Sequence, residues 1–249
     1  MLEVSNLFKK FGGVIAVSDV SFSVMPGQIK AIIGPNGAGK TTTFNLITGV
    51  DSPTAGKIRF KGAEINGMKS YEIASKGISR TFQNVELFNN MSVSESVMVG
   101  RHPRTFSGML SAAFRLPLSK HEEKLIAEDA MEWLEFFGLD AYAEDLAANL
   151  PFGQQRILEF ARAMATNPEL LLLDEPAAGL NISETEQVGE FIRKIREMGV
   201  TVILVEHDMS LVMDISDEII VLNYGKLIAE GTPREIQNNA DVIAAYLGE

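Results

Sequence analysis

The sequence predicts an α/β fold: a mainly parallel sheet with crossover helices, joined to an N-terminal antiparallel β subdomain and an inserted α-helical subdomain. The prediction depends on strand-like apolar runs in the first third of the chain, helical periodicity in the middle, and alternating strand and helix patterns beyond Pro151. We predict one domain over residues 1–249. Within it we expect a β subdomain and part of the core at 1–84, a helical subdomain at 85–150, and the rest of the core at 151–249.

The N-terminal third predicts antiparallel strands followed by a buried strand. Val20, Phe22 and Val24 alternate with polar residues, which favours a half-exposed antiparallel sheet. The run from Gln28 to Ile33 is mostly apolar and ends at Gly34, as expected of a buried strand.

Capping residues predict where several later helices begin. A Ser or Thr followed three residues later by Glu can satisfy the free amides of a first helical turn. The pairs predicted to do so are Ser92 with Glu95, Ser119 with Glu122, Ser183 with Glu186, and Thr232 with Glu235. Between the first two pairs, the segment 101–118 contains prolines and a glycine, which favour a loop or short irregular helices.

Composition excludes several classes of protein. Apolar residues make up 46% of the chain, which excludes a disordered protein. The 22 Lys and Arg against 33 Asp and Glu give a net charge of −11, which argues against a nucleic-acid partner. Cysteine is absent, so disulfides and cysteine-ligated metals are excluded and the cytoplasm is the simplest compartment. The sequence shows no signal-peptide pattern or spanning segment, so we expect any membrane contact to run through another protein.

A phosphate-binding loop is predicted at residues 34–41. The pattern G-x-x-x-x-G-K-[ST] is matched by Gly34, Pro35, Asn36, Gly37, Ala38, Gly39, Lys40 and Thr41. A strand precedes the loop and a helix follows, so unpaired amides and the positive helix end face the phosphates. We expect Lys40 to meet the β and γ phosphates, Thr41 to bind Mg²⁺ and Thr42 to reach the α phosphate. The alternative is a glycine-rich turn that happens to contain a lysine.

An acidic pair follows the apolar run 170–173. Asp174 and Glu175 lie where a buried strand ends, at the sheet edge where open α/β folds bind ligands. With a phosphate loop upstream, Asp174 is expected to hold the Mg²⁺ shell and Glu175 to polarise a water for attack on the γ phosphate. Alternatively, both acids are solvated loop residues. Loop and acids together predict a P-loop NTPase core.

Further motifs carry a resemblance to a known family. They are LPFGQQ at 150–155, DEPAAGLN at 174–181 and EHD at 206–208. With the phosphate loop, they resemble the nucleotide-binding subunit of ATP-binding cassette (ABC) transporters over essentially the whole chain. The first two motifs and the tail DVIAAYLG at 241–248 most resemble the ATPases of branched-chain amino acid importers. The long segment 101–118 resembles the longer of the two sister ATPases that serve such importers.

The resemblance implies roles that residue type alone would not suggest. Phe11 matches the aromatic residue that stacks on adenine, although a phenylalanine in a strand can equally be a core residue. Gln83 matches the loop residue that touches Mg²⁺ and the attacking water and links to the membrane subunits; its type alone suggests a solvated side chain. His207 matches the switch histidine that contacts the γ phosphate, whereas His102 and His121 are expected to be solvated.

The signature motif departs from the common family pattern. The usual Leu-Ser-Gly-Gly-Gln is Leu150-Pro151-Phe152-Gly153-Gln154 here, so a serine hydroxyl and one glycine are lost. Gly153, Gln154 and the start of the next helix remain to bind phosphate. The resemblance implies a head-to-tail dimer, either a homodimer or a heterodimer with a sister ATPase, that Mg-ATP closes and hydrolysis resets. It also implies integral membrane permease partners and a peripheral location on the cytoplasmic face of the cell membrane.

Two other functions fit some of these residues. One is a soluble ABC-type ATPase that regulates a macromolecular complex; a single cassette, no long coiled-coil insertion and the acidic surface count against it. The other is an ATP-binding switch with little hydrolysis, which the altered signature suggests and Glu175 argues against. The solute and the direction of transport are implied only by the resemblance.

Overall fold

The computed structural model describes residues 1–81, 87–88, 90–101 and 117–247. The chain forms two compact units, one of Met1–Arg80 with Glu169–Glu249 and the other of Thr81–Pro168. Among the described residues, no helix is both long enough and apolar enough to cross a membrane.

Among the described residues, the strands all lie in the first unit. In chain order they are β1 (Leu2–Phe11), β2 (Val14–Val24), β3 (Ile29–Ile33), β4 (Ala55–Phe60), β5 (Ala63–Glu64), β6 (Ile78–Arg80), β7 (Leu170–Asp174), β8 (Thr201–Val205), β9 (Glu218–Asn223) and β10 (Lys226–Gly231). A four-stranded antiparallel sheet has the order β2-β1-β4-β5. A six-stranded sheet has the order β10-β9-β3-β8-β7-β6, in which β10 is antiparallel and the other strands run parallel.

Helices occur in both units. In chain order they are α1 (Lys40–Ile47), α2 (Ser70–Ser75), α3 (Val93–Arg101), α4 (Pro117–Phe137), α5 (Phe152–Ala165), α6 (Ile182–Glu197), α7 (Met209–Ile215), α8 (Pro233–Gln237) and α9 (Ala240–Leu247). The helices α3, α4 and α5 belong to the second unit. The parallel sheet, antiparallel sheet and inserted helices confirm the predicted fold class.

The core of the first unit fixes the position of the phosphate loop. Helix α1 buries Phe44, Leu46 and Ile47 in an apolar cluster that also contains side chains of both sheets. Strands β7 and β8 are buried along their whole length, as their continuous apolar sequences predict. Because parallel strands end at the same edge of a sheet, the residues that follow β3, β7 and β8 lie close together.

The second unit differs in extent from the predicted helical subdomain. The prediction ended that subdomain at residue 150, but helix α5 lies with α3 and α4. The contact is tight at Gly100, because a Cβ atom there would lie 2.2 Å from the Arg162 carbonyl oxygen. Phe137 and Phe160 also pack together, with ring centroids 6.3 Å apart. The unit thus extends to Pro168, since α5 buries its apolar face among these helices.

Two of the predicted helix starts are confirmed and two are wrong. Ser92 and Glu95 form a capping box, as do Thr232 and Glu235. Helix α6 begins earlier than predicted, because Asn181 with Glu184 forms the capping box in place of Ser183 with Glu186. Helix α4 begins at Pro117, which places Ser119 inside it. Residues 102–116, most of the predicted loop, lie outside the described residues.

Candidate active site

The phosphate loop depends on glycine for two different reasons. Gly34, Gly37 and Gly39 have φ angles of +149°, +80° and +100°, which other residues rarely adopt. A Cβ atom at Gly34 would lie 2.1 Å from the Leu222 carbonyl oxygen, and one at Gly39 would lie 2.5 Å from that of Ala16. At Gly37 nothing lies within 4 Å. Packing therefore requires the outer glycines, whereas Gly37 faces open space.

Lys40 begins helix α1 and lies over the loop. Its Nζ donates hydrogen bonds to the carbonyl oxygens of Gly34 (2.6 Å) and Pro35 (3.1 Å). Burial lowers the pKa of Lys40, while the negative charges of Glu175 and Asp174 oppose that shift. The lysine is therefore close enough to both acids to feel their charge, although they are distant in sequence. The first-turn amides of α1 have no partner within the helix, as in any helix start.

Asp174 ends β7 with only 1% of its surface exposed. Its Oδ2 accepts a hydrogen bond of 2.7 Å from Arg80 Nη2. Its Oδ1 is also buried but has no hydrogen-bond partner among the described residues. Such an oxygen is costly to bury unless something else binds it. The role of Arg80 was not predicted; the signal available was a cation at the end of the short strand β6.

Glu175 has a strained backbone that a hydrogen bond holds in place. Its φ angle is +48°, an uncommon value for a residue other than glycine. Its amide donates to the Val205 carbonyl oxygen at 2.8 Å, which ties the end of β7 to the end of β8. Its Oε2 lies 3.8 Å from Nδ1 of His207, whose side chain is 67% exposed. The predicted acid, Glu175, and the predicted histidine, His207, are thus neighbours in the site.

Glu206 organises the backbone around that pair, a role that sequence reasoning missed. Its carboxylate is buried, and Oε1 accepts a hydrogen bond from the Ala177 amide at 2.8 Å. Its Oε2 accepts from the amides of His207 (2.8 Å) and Asp208 (3.1 Å). Asp208 then caps helix α7. The signal in the sequence was an acid directly after a buried strand, as at β7.

Phe11 lies at the end of the β1–β2 hairpin, where it pairs with Val14. Its side chain is 45% exposed, and Lys9 Nζ lies 4.5 Å from the ring centroid. The nearby Ala16 packs on Gly39, so this hairpin lies beside the phosphate loop. An exposed ring here fits the predicted stacking surface better than a core position. Gln83 lies outside the described residues.

The signature motif belongs to the second unit and starts helix α5 after Pro151. Gly153 is buried, whereas Phe152 is 48% exposed. Gln154 has a buried Oε1 with no hydrogen-bond partner in the described part of the chain. Phe152, which replaces a small residue of the usual motif, therefore adds an exposed ring at the helix start.

The C-terminal helix α9 borders the phosphate loop. A cavity of about 320 Å³ lies between them, lined by Pro35, Asn36, Ala38, Asn223, Tyr224, Ala244 and Ala245. Burial raises the pKa of Tyr246, opposed by a hydrogen bond from the Gly34 backbone. The C-terminal tail, whose sequence resembles the ATPases of branched-chain amino acid importers, thus lies against the phosphate loop.

Family comparison agrees with this geometry. A model of the ABC transporter family matches residues 17–178, which include the phosphate loop and the acidic pair. The chain belongs to the ABC transporter family. A model described as the branched-chain amino acid ATP-binding cassette transporter matches residues 226–249. The predicted resemblance, including its subgroup, is confirmed.

Relatives span the whole chain. The chain is 50% identical to the high-affinity branched-chain amino acid transport ATP-binding protein BraF of Pseudomonas aeruginosa, over 100% of this chain and 98% of that protein. An ADP conformation of an ABC transporter cassette has a TM-score of 0.87 at 31% identity, covering 100% of this chain and 99% of that one. A dimeric post-hydrolysis cassette bound to ADP and Pi has a TM-score of 0.80 at 26% identity, covering 94% and 99%.

Proposed function

We propose that this chain is the ATP-hydrolysing subunit of an importer for branched-chain amino acids. One observation carries the proposal: Lys40, Asp174, Glu175 and His207 converge where the parallel strands end. Phosphoryl transfer needs positioned charge more than covalent chemistry, and this set supplies a cation for the phosphates and carboxylates for metal and water. The solute is supported by the transport stated in the name of BraF and by the C-terminal family match.

In this proposal the loop 34–41 binds the ATP phosphates through its backbone amides, except at Pro35, which has none. Gly37 admits the closest approach because nothing lies within 4 Å of its missing Cβ. Lys40 moves from the loop carbonyls to the β and γ phosphates, and Thr42 contacts the α phosphate. Phe11 stacks on the adenine ring.

The residues present fit a magnesium ion. The unpartnered Oδ1 of Asp174 is a buried acceptor, and Thr41 offers a hydroxyl in the first turn of α1. The described residues contain no group of three or more His, Cys, Asp or Glu side chains that could hold a metal. Magnesium suits such a sparse set, since it binds one or two carboxylates together with phosphates and waters. When bound, it compensates phosphate charge. Gln83 stays a predicted ligand.

Glu175 is proposed to orient and polarise the attacking water. Its backbone is fixed by the Val205 carbonyl, so the carboxylate needs little reorganisation when the reaction begins. His207 contacts the γ phosphate, and its backbone is held by Glu206. Because Glu206 also accepts a hydrogen bond from the Ala177 amide, it links the segment after β7 to the segment after β8.

A second chain is proposed to complete each site. Gly153 and Gln154 lie at the start of α5, where free amides can meet the γ phosphate of ATP held by the partner. The partner is a second copy or a sister ATPase, and the dimeric neighbour structure supports either arrangement. We further propose that integral permease subunits hold this dimer on the cytoplasmic face of the cell membrane.

Phosphate release tests the enzymatic part of the proposal. Glu175→Gln is expected to lose at least about 100-fold of Mg²⁺-dependent turnover while ATP binding, measured by calorimetry, is retained. Glu169→Gln is the matched control, because Glu169 precedes the same strand and pairs with Lys61 at the surface. Equal rates in wild type and Glu175→Gln contradict the role of Glu175. ATP binding without turnover in the wild type favours a switch with little hydrolysis.

Uptake tests the solute. In native membrane vesicles supplied with ATP, Glu175→Gln is expected to abolish uptake of labelled leucine, isoleucine and valine. Uptake of lysine serves as the control and is expected to persist. Unchanged leucine uptake contradicts the proposed solute class, and copurification with an integral membrane protein tests the permease partner.

A further inference from the structure

Arg80 and Asp174 form a buried ion pair at the edge of the parallel sheet. They end the neighbouring strands β6 and β7, which run parallel with Arg80 opposite Leu172. Arg80 Nη2 lies 2.7 Å from Asp174 Oδ2, and the two side chains are 9% and 2% exposed. A charge-assisted hydrogen bond between buried groups is stronger than one at the surface.

The guanidinium group of Arg80 is held on several sides. Its Nη1 donates to Asn45 Oδ1 at 2.8 Å and to Thr48 Oγ1 at 3.3 Å. Its central carbon lies 5.6 Å from the centroid of the Phe44 ring. All three partners belong to α1 or its C-terminal end, and α1 starts at the phosphate loop. Because the guanidinium is planar, these contacts fix the direction of the bonds that it offers to Asp174.

The consequence for Asp174 is an unequal pair of oxygens. Arg80 engages Oδ2, whereas Oδ1 is buried and has no hydrogen-bond partner among the described residues. A purely structural ion pair in the core would be expected to satisfy both oxygens, since unsatisfied buried acceptors are costly. The carboxylate is therefore held in one rotation with one oxygen left for another ligand.

We propose that Arg80 is a positioning residue, which holds Asp174 through Oδ2 and so presents Oδ1 to the magnesium ion of Mg-ATP. The inference rests on the proposed role of Asp174 as a metal-binding residue. Partners that orient a metal ligand typically change metal affinity about 10- to 100-fold when they are removed. Through Asn45 and Thr48, Arg80 also joins this carboxylate to the helix that carries Lys40 and Thr41.

The test compares ATP affinity with and without the metal. All variants carry Glu175→Gln so that ATP is not consumed, and calorimetry gives the ATP affinity in Mg²⁺ and in EDTA. Arg80→Met is expected to leave the ATP affinity in EDTA within about twofold of the value for Glu175→Gln alone. It is expected to lower the ratio of the ATP affinity in Mg²⁺ to that in EDTA by about 10- to 100-fold. Arg80→Lys keeps the charge but loses the planar guanidinium group, so the ratio is expected to fall by less than in Arg80→Met.

Lys30→Met is the matched control for a lost buried ion pair. Lys30 is 1% exposed, and its Nζ lies 2.8 Å from Glu218 of β9 and 2.6 Å from Glu230 of β10, so its ion pairs do not involve Asp174. It is expected to lower the melting temperature and leave the ratio unchanged. If Arg80 had only a structural role, Arg80→Met would likewise lower the melting temperature and leave the ratio unchanged.

Asp174→Asn separates the two proposals. Loss of the magnesium dependence in Asp174→Asn, with an unchanged ratio in Arg80→Met, overturns the inference on Arg80 and leaves the metal assignment standing. A full ratio in Asp174→Asn overturns the metal assignment itself. Should Arg80→Met fail to fold, as judged by circular dichroism, an unchanged ratio in Arg80→Lys overturns the inference.

Discussion

Replacing Gly34 by alanine is expected to act mainly on the stability of the folded chain. The new Cβ would lie 2.1 Å from the Leu222 carbonyl oxygen, a backbone atom that no rotamer change can move. Backbone strain at the φ angle of +149° contributes about 1 to 3 kcal/mol. Overpacking against β9 contributes about 1 to 3 kcal/mol more. The loss is therefore about 2 to 6 kcal/mol, a large share of the roughly 5 to 15 kcal/mol that stabilise a domain.

Gly37→Ala is the matched comparison in the same loop. Its φ angle of +80° also disfavours alanine, by about 1 to 2 kcal/mol, but nothing lies within 4 Å of the added Cβ. The methyl group instead stands where the backbone is proposed to approach the phosphates. Gly37→Ala is therefore expected to retain most of its stability and to bind ATP at least about tenfold more weakly.

The two variants are measured by urea unfolding and by ATP calorimetry in the Glu175→Gln background. We expect Gly34→Ala to show the larger fall in the unfolding midpoint and Gly37→Ala the larger specific loss of affinity. Wild-type stability in Gly34→Ala refutes the packing argument. Wild-type affinity in Gly37→Ala refutes the assignment of this loop to the phosphates.

The remaining predictions concern charged groups of the site. Lys40→Ala is expected to lose ATP binding itself, because the removed charge is proposed to face the phosphates in the ground state; unchanged affinity by calorimetry contradicts this. Glu206→Ala leaves three amides unpaired, so we expect a loss of about 1 to 3 kcal/mol in unfolding free energy and slower phosphate release. Hydrogen bonds, chiefly from Ser210, lower the pKa of Asp208. Its stabilising effect is therefore present above its unfolded pKa and lost as pH falls. In acid-range melts the difference between Asp208→Ala and wild type should shrink, and a constant difference contradicts the assignment.

Much of the site was predictable because its functional residues lie in short, continuous sequence motifs. The loop 34–41 and the pair Asp174-Glu175 each combine a local motif with a buried strand, so their neighbours in sequence indicate where they lie. The predicted start of α6 at Ser183 was wrong, since Asn181 and Ser183 both precede a glutamate by three residues. The earlier pair wins because asparagine caps at least as well and the helix gains half a turn.

Contacts between distant residues could not be predicted from the sequence. Arg80 and Asp174 are 94 residues apart, and only the pairing of β6 with β7 brings them together. Glu206 holds Ala177 for the same kind of reason, because β8 lies beside β7. The extent of the second unit likewise follows from the packing of α5, which a pattern of apolar residues does not locate.

The mass in solution of Glu175→Gln tests most directly whether ATP joins two of these cassettes. Light scattering is measured without nucleotide, with ADP and with ATP, after calorimetry has established that ATP binds. We expect a dimer only when ATP is present, since the signature at Gly153 and Gln154 is proposed to meet the γ phosphate across the interface. A monomer in all conditions, despite measured ATP binding, contradicts the claim that this chain with ATP is sufficient to close the dimer.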